Sequence, residues 1–244
     1  MKASSLASAL AALLLGWQSP LWAQLGTLNR NAPLHSDASK SSPTVEHLEK
    51  GERVMLLTAT PRAGYYHVRT EDEEVGWVWS KFVDISQSPH APGQPTIPEV
   101  TLAAHPGCDA SLWNHVYHPQ RLIVKQSCIE VTGTIVDATN GKRSDGMRHE
   151  ADGDTHGWLK PDPQFQNLLN AGNKTAEGGN LVFEIVCRYS VKQADAVAAC
   201  KGYKNQITIP PVGSHVRIVG TYVQDTFHAQ WMEIHPVSSI TVIP

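Results

Sequence analysis

The sequence predicts a mainly β protein built as two small barrels in series, and three observations predict it. Short runs rich in β-branched and aromatic residues, bounded by glycine and charge, recur through residues 24–86. Ser86 to Val100 reads SQSPHAPGQPTIPEV, with four prolines. Proline fixes φ and lacks the amide hydrogen, so residues 87–100 read as a semi-extended linker between two units. Beyond it, a long β-branched run with one internal glycine is followed by further strands in an order suited to closing a barrel.

At the N-terminus, Lys2 is the only charge before Arg30, and an apolar run extends from Leu6 to Leu15. Ser19-Pro20-Leu21-Trp22-Ala23 then supplies a small-residue ending. That order is the signature of a signal peptide over residues 1–23, with cleavage expected after Ala23. The run is shorter than the roughly 20 apolar residues a membrane span requires, so no stable membrane insertion is expected. A periplasmic or secreted protein follows.

In the first unit, residues 24–86, Arg53–Thr58 reads as a strand after the turn at Glu49–Glu52. Tyr65–Arg69 and Val75–Trp79 alternate, with the acidic turn Glu71–Glu74 between them. Residues 27–85 resemble the bacterial SH3 domain. The matching pieces, in order, are Asn31–Leu34, Leu48–Val54, Gly64–Val68, Gly76–Val78 and Phe82–Ile85. The opening departs from the family's common Leu-Asn-Val-Arg run, reading Leu28-Asn29-Arg30-Asn31, and an irregular first strand is expected there. The resemblance implies an SH3-like small barrel that attaches an exported protein to peptidoglycan or another envelope partner. Tyr65 and Trp79 are then candidates for an exposed aromatic groove, while Trp77 reads as core.

In the second unit, residues 101–244, Arg121–Asp137 is a long strand with Gly133 inside it, where a barrel could bend. Strands follow at Asp154–Leu159, Leu181–Tyr189, Ser214–Val223 and Ala229–His235. A short helix is expected at Gln164–Asn170, and the alanine-rich run Gln193–Cys200 predicts another between the third and fourth strands. This is the element order of an OB-like five-stranded barrel, with a β-sandwich as the competing reading.

Charge excludes one function class. Residues 24–86 carry 7 basic and 9 acidic groups, and residues 101–244 carry 12 and 13. Neither has the basic excess that a phosphate backbone needs, so nucleic acid is not an expected partner. The four cysteines, Cys108, Cys128, Cys187 and Cys200, are an even set in an exported chain and permit three pairings. Cys108–Cys128 and Cys187–Cys200 are preferred because each closes a short local loop. No CxxC pair is present, which argues against zinc on thiolates.

Histidine is abundant at 12 residues, and two clusters carry chemistry: His149–Trp158 and Asp225–His235. Strand alternation puts Asp154, His156 and Trp158 on one face, and Trp231, Glu233 and His235 on one face of another strand. Three readings stand. Asp154, His156, His228, Glu233 and His235 could ligate a divalent metal, their types being right for zinc. The second and fifth strands are separated by the third, however, leaving their backbones roughly 9–10 Å apart. Trp158 and Trp231 could instead be stacking platforms for a glycan or peptide. The third reading is structural, with carboxylates orienting imidazoles. No GxSxG is present and no thiol is free once both disulfides form, so nucleophilic catalysis has no support and no catalytic residue is assigned. The expected function is non-catalytic envelope binding without a cofactor. The alternative is a metal-dependent hydrolase that its SH3-like part only targets.

Overall fold

The computed structural model describes residues 24–85 and 107–244; the expected signal peptide and linker lie outside the described residues. The first part is a seven-stranded antiparallel sheet. Its strands are β1 (Gln24–Leu28), β2 (Ala32–His35), β3 (Thr44–Leu48), β4 (Arg53–Leu56), β5 (Tyr65–Thr70), β6 (Val75–Trp79) and β7 (Val83–Ile85), in the spatial order β3-β2-β6-β5-β4-β1-β7. Alternation sorts them: Leu28, Leu34, Leu48, Val54, Leu56, Val68 and Val78 form one core. The first strand stops at Leu28, and the chain bends through Asn29–Asn31 before β2.

Trp77 is not core. Gly76 and Val78 fill the inward positions of β6, so Trp77 and Trp79 both face outward and are half-buried. A strict two-residue period leaves a residue between two inward neighbours no other direction.

The second part is a closed barrel of five strands. β8 (Leu122–Val136) is followed by the short β9 (Arg148–His149), then β10 (Thr155–Pro161), β11 (Leu181–Ile185), β12 (His215–Asp225) and β13 (Met232–Val242). Closure runs β8-β10-β11-β13-β12-β8, with β9 added at the edge of β10. Every pair is antiparallel except β11 with β13. The expected barrel is therefore present. Gly133 lies where β8 pairs with both β10 and β12. A Cβ there would stand 2.4 Å from the Lys160 carbonyl oxygen, so only glycine permits this crossing. The interior is filled by Val131, Ile135, Leu159, Leu181, Phe183, Ile185, Ile218 and Ile234, among others.

Of the two expected helices, the one at Gln164–Asn170 is met by a 3-10 helix at Pro163–Leu168, and the one at Gln193–Cys200 is absent. No helix forms between the third and fourth barrel strands: residues 193–200 run as successive turns. Ala196 and Ala199 each donate three residues back, the Lys192 and Gln193 amides both go to the Ala151 carbonyl, and the Cys187–Cys200 disulfide closes the loop. Tethering at both ends overrides the helical propensity of alanine. The single α-helix among the described residues is α1 (Ala171–Ala176), between β10 and β11, after a 3-10 turn at Pro163–Leu168. A reciprocal cap starts it: Asn170 accepts from the Asn173 amide, and Asn173 accepts from the Asn170 amide. Leu181–Tyr189 is strand only to Ile185, and Cys187 takes a positive φ of 53°. The last strand begins at Met232, because Ala229 and Gln230 form a positive-φ turn, and it runs on to Val242.

Both disulfides pair as expected, Cys108 with Cys128 and Cys187 with Cys200. The two sheets also touch. Met55 on the outer face of β4 packs with Phe227 of the β12–β13 loop and with Leu25. Arg53 donates to the carbonyls of Thr226 and Phe227, and Glu71 holds its guanidinium at 2.8 Å. No described helix is long and apolar enough to cross a membrane.

Candidate functional site

β10, β11 and β13 are neighbours in the barrel, and their inward residues Leu159, Phe183 and Ile234 belong to its core. The residues between face outward: Asp154 just before β10, His156 and Trp158 on β10, Glu184 on β11, Glu233 and His235 on β13. Register pairs His156 with Glu184 and Val182 with Glu233, so Glu184 stands between the imidazoles of the two flanking strands. Its Oε1 lies 3.4 Å from His156 Nδ1 and its Oε2 lies 2.7 Å from His235 Nδ1. The second contact is an ion contact, not aligned as a hydrogen bond. His235 Nδ1 also lies 3.1 Å from Glu233 Oε1. His156 Nε2 bonds Glu177 Oε2 at 3.0 Å.

Although outside the barrel, this cluster is shut off from solvent. Asp154, Glu184 and His235 are 1 %, 2 % and 0 % exposed. A second apolar layer lies over the same end of the barrel, where Leu112 and Val116 meet Leu122, Val186 and Val223. Arg121 enters with it, paired to Asp225 and 3.7 Å from Glu184 Oε2.

Burial and neighbours set the charges. Burial drives the Asp154 carboxyl well above the carboxylate range, and Asp152 adds to the rise. Asp152 is pushed up to about 7 by burial and by Glu150. For His235, burial would lower the value, but Glu184 and Glu233 outweigh it and lift it to about 10. His156 is raised well above the usual range against burial, by bonds to Glu150, Glu177 and Glu184. Glu184 is held well below the usual range against burial, by the charge of His235 and the bond from His156.

Of the five sequence-predicted ligands, the structure brings four into this cluster: Asp154, His156, Glu233 and His235. His228 stands apart. It bonds Asp225 Oδ2 at 2.8 Å, stacks on Trp231 at 5.2 Å and reaches toward Glu73 of the first sheet. Trp231 is withdrawn as a stacking platform: it is 8 % exposed, His228 lies on its face, the His156 ring meets it edge-on, and its Nε1 donates to Glu233 Oε2 at 2.8 Å. Trp158 is half-buried, donates to Glu177 and carries Arg148 over its ring at 5.1 Å.

Sequence reasoning missed Glu184, Glu177 and Arg121, and placed Asp225 in its second cluster without a role. Glu184 had a signal: it is the lone charge in the apolar run Leu181-Val-Phe-Glu-Ile-Val186, and a charge in a strand buried on both faces must find partners. Glu177 and Arg121 lie outside regular strands, and only tertiary folding brings them in.

A second surface lies on the outer face of the first sheet. Tyr65 pairs with Trp79 and His67 with Trp77 across β5 and β6. His67 stacks on Trp77 at 4.5 Å, and the Arg62 guanidinium lies 4.2 Å over the same ring. Trp79 meets Tyr65 edge-on at 4.9 Å. Tyr65 itself is buried beneath Trp79 and His35, so it supports the face and offers little surface of its own.

No family model matches the chain, and no curated protein matches it. Among solved structures, NlpC1 from Trichomonas vaginalis aligns over 93 % of this chain at 9 % identity and a TM-score of 0.25. The alignment spans 50 % of that protein's length.

Proposed function

We propose that the chain is an exported, non-catalytic binding protein of the cell envelope, which holds peptidoglycan or an envelope partner on the outer aromatic face of its first sheet. The observation that carries this reading is the half-buried pair Trp77 and Trp79, side by side on β6 with Arg62 above one ring. Two half-buried indoles and a guanidinium suit the flat faces and carboxylates of a glycan–peptide polymer. The resemblance to bacterial SH3 domains and the two disulfides agree with it.

A metal-dependent hydrolase is less favoured, because catalysis needs an ion position open to substrate and the His–carboxylate cluster is closed over. Co-sedimentation of the mature protein with purified sacculi tests the proposal. Wild type should pellet, and Trp77→Ala should pellet less. No pelleting by the wild type, or equal pelleting by the variant, would discard the role.

A further inference from the structure

The strongest unassigned feature is three buried polar atoms without a hydrogen bond, Asp154 Oδ2, Glu184 Oε2 and His235 Nε2, of which Glu184 Oε2 has an ion contact with His235 Nδ1 at 2.7 Å. Asp154, Glu184 and His235 each present a ligand atom within 4.8 Å of the others, and His235 Nε2 lies 4.0 Å from Asp154 Oδ2. We propose that these residues form a structural site for a divalent metal ion of the zinc class, clamping β10, β11 and β13 on the outside of the barrel.

Each ligand has one end fixed and the other aimed inward. Asp154 Oδ1 accepts the Cys187 amide at 2.6 Å, beside the Cys187–Cys200 disulfide, which leaves Oδ2 free. The Nδ1 edge of His235 faces Glu233 and Glu184, which leaves Nε2 as the ligand atom; an imidazole held by a carboxylate in this way is the usual outer-shell arrangement of a metal-binding histidine. Glu184 turns its other oxygen to His156. Bonds of about 2.0–2.2 Å put ligand atoms roughly 3.4 Å apart in a tetrahedral site, against 4.0 Å between Asp154 Oδ2 and His235 Nε2 here; Glu184 Oε2 would have to leave His235 Nδ1 to join them.

A divalent cation would also satisfy Asp154 Oδ2 and His235 Nε2, which are buried without a hydrogen-bond partner. One imidazole with two carboxylates suits zinc or manganese; calcium takes six to eight oxygens and fits poorly. The nearby cysteines are in a disulfide and offer no thiolate. Asp154, Glu184 and His235 are shut off from solvent, which leaves no path for a substrate to the ion.

The test uses the untagged mature protein, refolded with and without zinc. Elemental analysis after dialysis should find about one equivalent of zinc, and the zinc-refolded protein should melt at least about 5 °C higher than protein refolded in chelator. Asp154→Asn and Glu184→Gln should lose the bound zinc and the melting difference together. His149→Ala, which removes a half-buried histidine outside the site, should keep both. Should the variants not fold, the wild-type comparison decides alone. Less than a tenth of an equivalent of zinc or manganese, no melting difference, or full metal in a folded Glu184→Gln would overturn the proposal.

Discussion

Arg53 of the first sheet donates through Nη2 to the Phe227 carbonyl of the barrel at 2.9 Å, and Glu71 Oε1 holds the same nitrogen at 2.8 Å. Two units read from the sequence as independent thus share a seam, sealed by Met55 against the fully buried Phe227. A protease cut within residues 86–100 is therefore expected to leave two fragments that co-elute on size exclusion. Phe227→Ala removes a buried aromatic, a change costing on the order of 3–5 kcal/mol in protein cores. It should release the fragments as separate species. Co-elution of the cut Phe227→Ala protein would show that the seam is not what joins them.

The Cys187–Cys200 bridge closes a loop of sequence separation 13 and abuts the amide that holds Asp154. A loop of this size gives about 3 kcal/mol in the chain-entropy account. The Cys187→Ala/Cys200→Ala protein should lose about that much in denaturant unfolding. Hydrogen exchange at the Cys187 amide should rise beyond what the global loss explains. A loss under about 1 kcal/mol would mean that the loop is held by its contacts rather than by the bridge.

The sequence carried the barrel because it is written in local patterns: strands in order, a glycine at the crossing and cysteines spaced for local bridges. It carried half of the buried cluster for the same reason, since alternation alone places Asp154 with His156 and Glu233 with His235. The separation of their strands looked like an obstacle to convergence. Glu184, on the strand between, spans that gap with one oxygen toward each imidazole. Gln193–Cys200 shows the opposite failure, where propensity pointed to helix and a covalent closure decided otherwise. Trp77 reads as core by its residue type, yet alternation alone places it outward between Gly76 and Val78.

Acid should weaken the seam before it weakens the barrel core. Burial would raise the Asp195 carboxyl, but the nearby His118 ring, the bond from Tyr117 and the charge of Arg69 outweigh it and hold the group well below the carboxylate range. A carboxylate depressed in the folded state contributes stability above its unfolded value, about 3.9, and loses it as pH falls toward the folded value. His118, lowered by burial, works in the same direction from about pH 6.5 downward, because the unfolded chain takes up its proton first. Melting temperature should therefore fall between about pH 6.5 and 2, and Asp195→Asn should flatten the part below about pH 4. An Asp195→Asn profile parallel to wild type down to about pH 2 would remove Asp195 from the account.

The aromatic face makes its sharpest prediction through Gly64. This residue takes a φ of +87°, and a Cβ on it would stand 2.4 Å from the Trp79 ring. Gly64→Ala should therefore push the indole aside without deleting it, besides straining the turn. If Trp79 and Trp77 together form the ligand face, Gly64→Ala should lower sacculus binding about as much as Trp79→Ala. Trp77→Ala should lower it while costing less stability than Trp79→Ala, because its ring meets the half-buried His67 and the exposed Arg62, whereas Trp79 covers the buried Tyr65. Arg62→Ala should weaken binding by a smaller step, about 0.5–1 kcal/mol for a cation over an exposed ring. Binding and melting temperature measured on the four variants separate the cases. Binding losses that simply follow stability across all four would mean that the face is structural and that the ligand sits elsewhere.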